Sequence, residues 1–137
     1  RPMDKKKAIL CVDDEAIILH ALVHELKSSF GDEFIYEKAT DAISAFDIID
    51  DLSKEGVKLI LIISDWLMPG IRGDEFLETV AKTHPDVKAI MITGQADEDA
   101  MKKVRGNSAV HAVLRKPWNS EELRSIVRFC CTGDRHE

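Results

Sequence analysis

Five residues able to do chemistry stand directly behind short apolar runs. Asp13 and Asp14 follow Ala8-Ile9-Leu10-Cys11-Val12, and Asp65 follows Leu59-Ile60-Leu61-Ile62-Ile63-Ser64. Thr93 follows Val87–Ile92, and Lys116 follows Ala109–Leu114 and Arg115. Three carboxylates brought together repel, each raising its neighbours' pKa. A hard divalent cation relieves this, and Mg2+ takes carboxylates together with water and phosphate oxygens. Lys116 adds an ammonium and Thr93 a hydroxyl. Such a set suits a site where an aspartate meets a phosphoryl group. Cation and ammonium neutralise the equatorial oxygens while the carboxylate attacks. Asp-Asp or Lys-Pro behind an apolar run is weak alone. The five in this order are strong, provided the runs end on one edge.

The elements that must bring them together are legible. Continuous apolar runs rich in β-branched residues suit strands buried on both faces of a parallel sheet. Strands are expected at 8–12, 34–39, 59–63, 87–92 and 109–114. Helices fall between them. Ala16–Phe30 carries Ile18, Leu22 and Leu26 at helical spacing, with Ile17 and Ala21 flanking the stripe, Asp14 placed to cap it and Gly31 to end it. Thr40-Asp41 opens a helix to about Leu52. Gly73-Asp74 opens another, stopped by Pro85. A short polar helix spans Asp97 to about Arg105. Asn119, with Glu122 three residues on, opens the last, to about Cys131. Strand–helix alternation five times over predicts an α/β domain, a doubly wound five-stranded parallel sheet with helices on both faces. All the polar residues named above then share the C-terminal edge, where such sheets bind ligands.

Composition narrows the function. The chain has 137 residues, 45% of them apolar, a length and content suited to one domain with a core. Its formal net charge is −6, and the one basic cluster, Lys5-Lys6-Lys7, reads as a solvated tail. Phosphate contacts need a Lys/Arg footprint, so nucleic-acid binding by this domain is not expected. Cys11, Cys130 and Cys131 form no disulfide framework or CxxC pattern and read as reduced thiols of a cytoplasmic protein. No apolar run approaches the ~20 residues of a membrane span. His20 and His24 lie four apart without an evident third metal ligand. His111 reads as structural, and the role of Trp66 stays open.

These stretches resemble the receiver domain of bacterial two-component response regulators. The matching segments are Val12-Asp13-Asp14-Glu15, Asp65-Trp66-Leu67-Met68-Pro69-Gly70, Met91-Ile92-Thr93-Gly94 and Leu114-Arg115-Lys116-Pro117-Trp118. The resemblance covers about 7–131. It implies a flavodoxin-like (βα)5 domain over 8–131, with tails at 1–7 and 132–137. Asp65 matches the phospho-acceptor, charged from a phosphohistidine on a sensor histidine kinase or histidine phosphotransfer protein. Asp14 matches the direct Mg2+ ligand, Asp13 its water-mediated partner, and the Leu67 carbonyl the third protein ligand. Thr93 matches the hydroxyl that moves to the phosphoryl group and Lys116 the lysine that pairs with it. Pro117 matches a proline whose preceding peptide bond is typically cis. Family members catalyse their own Mg2+-dependent phosphorylation and dephosphorylation, with no separate substrate turnover expected. Homodimers through the fourth helix, fifth strand and fifth helix are the family's habit.

One position departs from the pattern. The switch aromatic expected three residues before the lysine is Val113. A valine has no ring to swing, so readout is expected through rearrangement of the loop 93–97 or through a different output surface, a reading that an equivalent flip of another aromatic such as Trp118 would overturn. Met3 reads as a natural start, and the few residues after the last helix leave output to protein contacts or to a domain outside this chain. Rival classes fare worse. A haloacid-dehalogenase-type phosphatase needs an aspartate where Leu67 stands. A flavin or nucleotide module needs a Gly- or Ser/Thr-rich loop where Asp13-Asp14-Glu15 stands. A receiver-like interaction module that works without phosphorylation is the alternative reading.

Overall fold

The computed structural model describes residues 6–94 and 98–132. Five strands, β1 (Lys7–Val12), β2 (Ile35–Ala39), β3 (Lys58–Asp65), β4 (Lys88–Thr93) and β5 (Ala112–Arg115), form one parallel sheet in the order β2-β1-β3-β4-β5. Five α-helices alternate with them: α1 (Ala16–Phe30), α2 (Ala42–Lys54), α3 (Gly73–Thr83), α4 (Glu98–Arg105) and α5 (Ser120–Thr132). This strand order is that of flavodoxin-like sheets, and it reverses between β1 and β3.

Side chains alternate across each strand, so each strand feeds two cores. Leu10, Val12, Ile62 and Met91 pack with α2, α3 and α4 residues such as Ile49, Phe76 and Val104. Ile9, Cys11, Ile63 and Ile92 pack with α1 and α5 residues such as Leu26 and Val127. That double burial is why the runs are apolar throughout rather than alternating.

Several local expectations shift. The buried stripe of α1 is Leu19, Leu22, Val23, Leu26 and Phe30, while Ile17 is 84% exposed and Ala21 also faces outward. Two overlapping stripes share this helix, and the sheet takes the one with more large side chains. Asp14 does not cap α1. The N-cap is Glu15 without a side-chain cap, and Asp13 Oδ1 instead accepts the Glu15 N–H at 2.8 Å. The fifth strand begins at Ala112 rather than Ala109. Asn107 Oδ1 accepts the Ala109 N–H at 2.9 Å and the Asn107 carbonyl accepts the Val110 N–H at 3.0 Å, holding 107–110 as a turn. Lys7 belongs to β1 and Thr132 to α5, each one residue inside an expected tail. Met3, Lys5, Asp97 and most of the loop 93–97 lie outside the described residues.

The caps at Asp41 and Asn119 form. Asp41 Oδ1 accepts the Ser44 N–H at 2.7 Å, and Asn119 Oδ1 accepts the Glu122 N–H at 2.9 Å. Gly31, at φ 55°, closes α1 by donating its N–H to the Lys27 carbonyl.

The two stripes of α1 are separable by denaturation. Leu26→Ala is expected to cost about 2–5 kcal/mol, and Ile17→Ala no more than about 0.5 kcal/mol. Equal losses in urea melts would put Ile17 back in the core.

Candidate functional site

The C-terminal ends of the strands carry the chemistry. β1 ends beside β3, so Asp13 and Asp14 come next to Asp65. Carboxylate oxygens of these three residues all lie within 4.8 Å of one another. Asp13 and Asp65 are buried and Asp14 is exposed. The Asp13 N–H donates to the Ala39 carbonyl at 3.1 Å, tying the start of the loop to the end of β2. Asp65 is the last residue of β3, and its Oδ1 accepts the backbone N–H of Trp66 at 2.9 Å.

Lys116 arrives from the far side of the sheet. Its backbone N–H donates to the Thr93 carbonyl at 2.8 Å, and the Lys116–Pro117 peptide bond is cis. The ammonium then lies 2.8 Å from Asp13 Oδ2 and 3.3 Å from Asp65 Oδ1, with Glu15 Oε1 at 3.9 Å. Thr93 closes β4 and is buried. Leu67, two residues past Asp65, turns a half-exposed side chain outward from the loop before α3.

One cation among three carboxylates leaves an electrostatic deficit. Burial, and then the charge of Asp13, push the Asp65 pKa up to about 6, against the opposing pull of Lys116 and the Trp66 N–H. Burial works against the charge of Lys116, but the bonds to Asp13 and Asp65 outweigh it and hold its pKa above the usual value. Three clustered carboxylates, one of them open to solvent, make a donor set suited to a hard divalent cation.

Gly73 also shapes this site, although the sequence marked it only as a helix start. A Cβ there would overlap the Asp65 carbonyl oxygen and press on Ser64 Oγ, and the Gly73 N–H donates to the Trp66 carbonyl at 2.6 Å. The N-terminus of α3 therefore rests directly on the end of β3. The signal was the absence of a side chain, which pattern reading cannot tell from an ordinary helix opening.

Val113 stands opposite Met91 in the β4–β5 ladder and packs, half-buried, on the α2–α4 side of the sheet. Trp118 lies on the other side, with the α1–α5 core, and its indole N–H donates to Glu25 Oε1 at 2.8 Å. Trp118 thus occupies the opposite layer from Val113. Trp66 packs into the α2–α4 side at 8% exposure. His20 and His24 stack, with ring centroids 6.5 Å apart, and both are exposed. Neither joins a metal-ligating group among the described residues. His111 Nδ1 accepts the Ala89 N–H at 3.0 Å and the His111 N–H donates to the Ala89 carbonyl at 2.8 Å, a structural role before β5.

Residues 9–128 match the model of the response regulator receiver domain. The chain belongs to this family. The receiver is 30% identical over 120 residues to the sensor kinase CckA of Brucella abortus, covering 88% of this chain and 12% of CckA. It is 30% identical over 125 residues to the hydrogenase transcriptional regulatory protein HoxA of Cupriavidus necator, covering 91% of this chain and 24% of that one. Among solved structures, the CheY-like receiver domain protein of Methanospirillum hungatei superposes with a TM-score of 0.74 at 28% identity, covering 91% and 92% of the two chains. The receiver therefore spans a small part of these longer curated relatives. It is a two-component signalling domain whose described residues form five parallel strands and five α-helices. No described helix is long and apolar enough to cross a membrane.

An acid with a raised pKa contributes stability below its unfolded value and loses it as pH rises through the folded value. Chelator-treated protein should therefore lose up to about 3 kcal/mol between roughly pH 4 and pH 6 on account of Asp65. Asp65→Asn should raise the Tm at about pH 8 and hardly alter it near pH 4; a fall at the higher pH would sink the electrostatic account. Gly73→Ala should cost about 1–3 kcal/mol or more, and amide spectra should show the change centred on Asp65 and Trp66 rather than spread along α3.

Proposed function

We propose that Asp65 is the phospho-acceptor of this receiver and that Mg2+ binds beside it at Asp13 and Asp14. The observation that carries the reading is the Lys116 ammonium held 2.8 Å from Asp13 and 3.3 Å from Asp65 at the C-terminal edge of the sheet. A lysine so placed stands ready to neutralise phosphoryl oxygens arriving at Asp65. Asp14, exposed beside two buried acids, is suited to a direct metal contact, with Asp13 acting through water and the Leu67 carbonyl completing the protein ligands. Bound Mg2+ would supply charge neutralisation on the phosphoryl group.

The remaining chemistry belongs to the chain. The Asp65 carboxylate attacks phosphorus in line, the bond to the donor's imidazole nitrogen breaks, and that nitrogen leaves with the electron pair. The Trp66 N–H and Lys116 steady the acceptor before the reaction. The Thr93 hydroxyl, on the adjacent strand, is the donor that meets the phosphoryl group afterwards. Pro117 sets the turn that carries Lys116. With Val113 where a ring is expected, the change at Thr93 passes into the segment leading to α4 rather than into an aromatic rotation.

A sensor histidine kinase or histidine phosphotransfer protein is the donor that this chemistry calls for, in keeping with the kinase among the relatives. We take residues 8–131 as the switching unit, with the signal passed by protein contact, by homodimerisation through α4, β5 and α5, or by a further domain. No separate substrate turnover is needed. Incubation with acetyl phosphate and Mg2+ should add one phosphoryl group by intact mass. Asp65→Asn or a chelator should abolish the gain, and Lys116→Ala should slow it by at least about tenfold. No gain, together with no melting shift from beryllofluoride and Mg2+, would favour the unphosphorylated interaction module.

A further inference from the structure

A cavity of about 630 Å3 opens between α3 and α4, within the size range of small-molecule sites. Trp66 forms part of its wall. The Trp66 indole N–H is buried and meets no acceptor among the described residues. Native structures rarely leave a buried donor so, because its lost hydration is not replaced.

The cavity's other polar groups divide into spent and unspent. Arg72 gives Nε and an Nη to the Asp74 carboxylate at 3.0 and 3.2 Å. Asn107 Nδ2 donates to Glu78 Oε2 at 2.8 Å, and its Oδ1 accepts the Ala109 N–H. Both acids thus have partners already. Lys103 has no ion-pair partner among the described residues. Arg72 and Lys103 balance Asp74 and Glu78 in charge, so hydrogen-bonding groups rather than net field select the occupant. The unspent groups include the Trp66 N–H and the Lys103 ammonium, which are donors only, and the Ser108 hydroxyl, which can donate as well. Ala100 and Val104 offer an apolar wall.

We propose that this cavity binds a small organic oxyanion, a carboxylate or a phosphate ester, through Trp66 Nε1 and Lys103. The indole N–H is covered in the structure described, so binding must turn α4 slightly away from α3. That helix is the shortest of the five α-helices, with eight residues, and buries only Met101 and Val104, so little holds it. The backbone N–H of Trp66 meanwhile donates to Asp65 Oδ1. One residue therefore touches both the cavity and the acidic edge, and occupancy of either biases the other. Such coupling is reciprocal. The cavity site stands independently of the phospho-acceptor reading; only the coupling rests on it.

The chain has two tryptophans, so a Trp118→Phe variant assigns both indole N–H signals in 15N spectra. Benzoate, phenyl phosphate and neutral benzyl alcohol are titrated into the metal-free full chain. A saturable shift of the Trp66 signal is expected with one or both anions, weakened about tenfold or more in Lys103→Glu and still present in Asp65→Asn. Response to benzoate alone assigns a carboxylate, and to phenyl phosphate alone a phosphate ester. A Trp66 signal that stays still to the solubility limit of the anions overturns the site. So does an equal response to benzyl alcohol, or a response lost in Asp65→Asn, which would put the probe at the acidic edge. Coupling is read by repeating the titration with Mg2+ and beryllofluoride. A changed probe affinity supports it, and an unchanged one, with beryllofluoride bound, overturns it. Failure of beryllofluoride to bind would count against the phospho-acceptor reading alone.

Discussion

The ion pairs from Lys116 to Asp13 and Asp65 are the constraint on which the working edge of this domain depends. Asp13 follows β1, Asp65 ends β3 and Lys116 follows β5, so one ammonium joins the ends of strands that are not all neighbours. It reaches them because its own backbone is hung on the Thr93 carbonyl at the end of β4. Without that cation, two buried carboxylates would face each other in a poorly hydrated setting, where like charges interact far more strongly than in water. With it, the site is partly neutralised and still acidic. It has a cluster of three carboxylates, one of them with its affinity for protons already raised.

The sheet makes this tolerable. The central strands β1, β3 and β4 are covered on both faces, so the backbone beneath the acids is held by two cores rather than one. Burial at this scale offsets the cost of gathering charge at one edge. The edge is also fitted closely from above. Gly73 lets α3 begin against the last peptide of β3, and the Trp66 carbonyl accepts from it.

Much of this was legible from residue order. The five apolar runs, their carboxylate, hydroxyl and lysine endings, and the caps at Asp41 and Asn119 all read directly, since each is a local pattern. The face of α1 did not, because Ile17 and Ala21 continue the same periodicity as the residues that the sheet buries. The start of β5 did not, because Ala109 and Val110 look like strand until Asn107 captures the Ala109 N–H. Nor did the contact between Trp118 and Glu25, which are 93 residues apart.

The sequence by itself determined which residues could meet. A parallel sheet places all strand ends of one polarity on one edge, so the order of Asp13, Asp14, Asp65, Thr93 and Lys116 already implied a shared site. Only the tertiary structure decided how they meet. It buried Asp13 and Asp65 while leaving Asp14 in solvent, chose Asp13 as the closer partner of Lys116, and left the Trp66 indole N–H buried without an acceptor among the described residues, in a residue that lines a cavity. These outcomes turn on distance and hydration, which arise where separate segments pack and have no local signature in the chain.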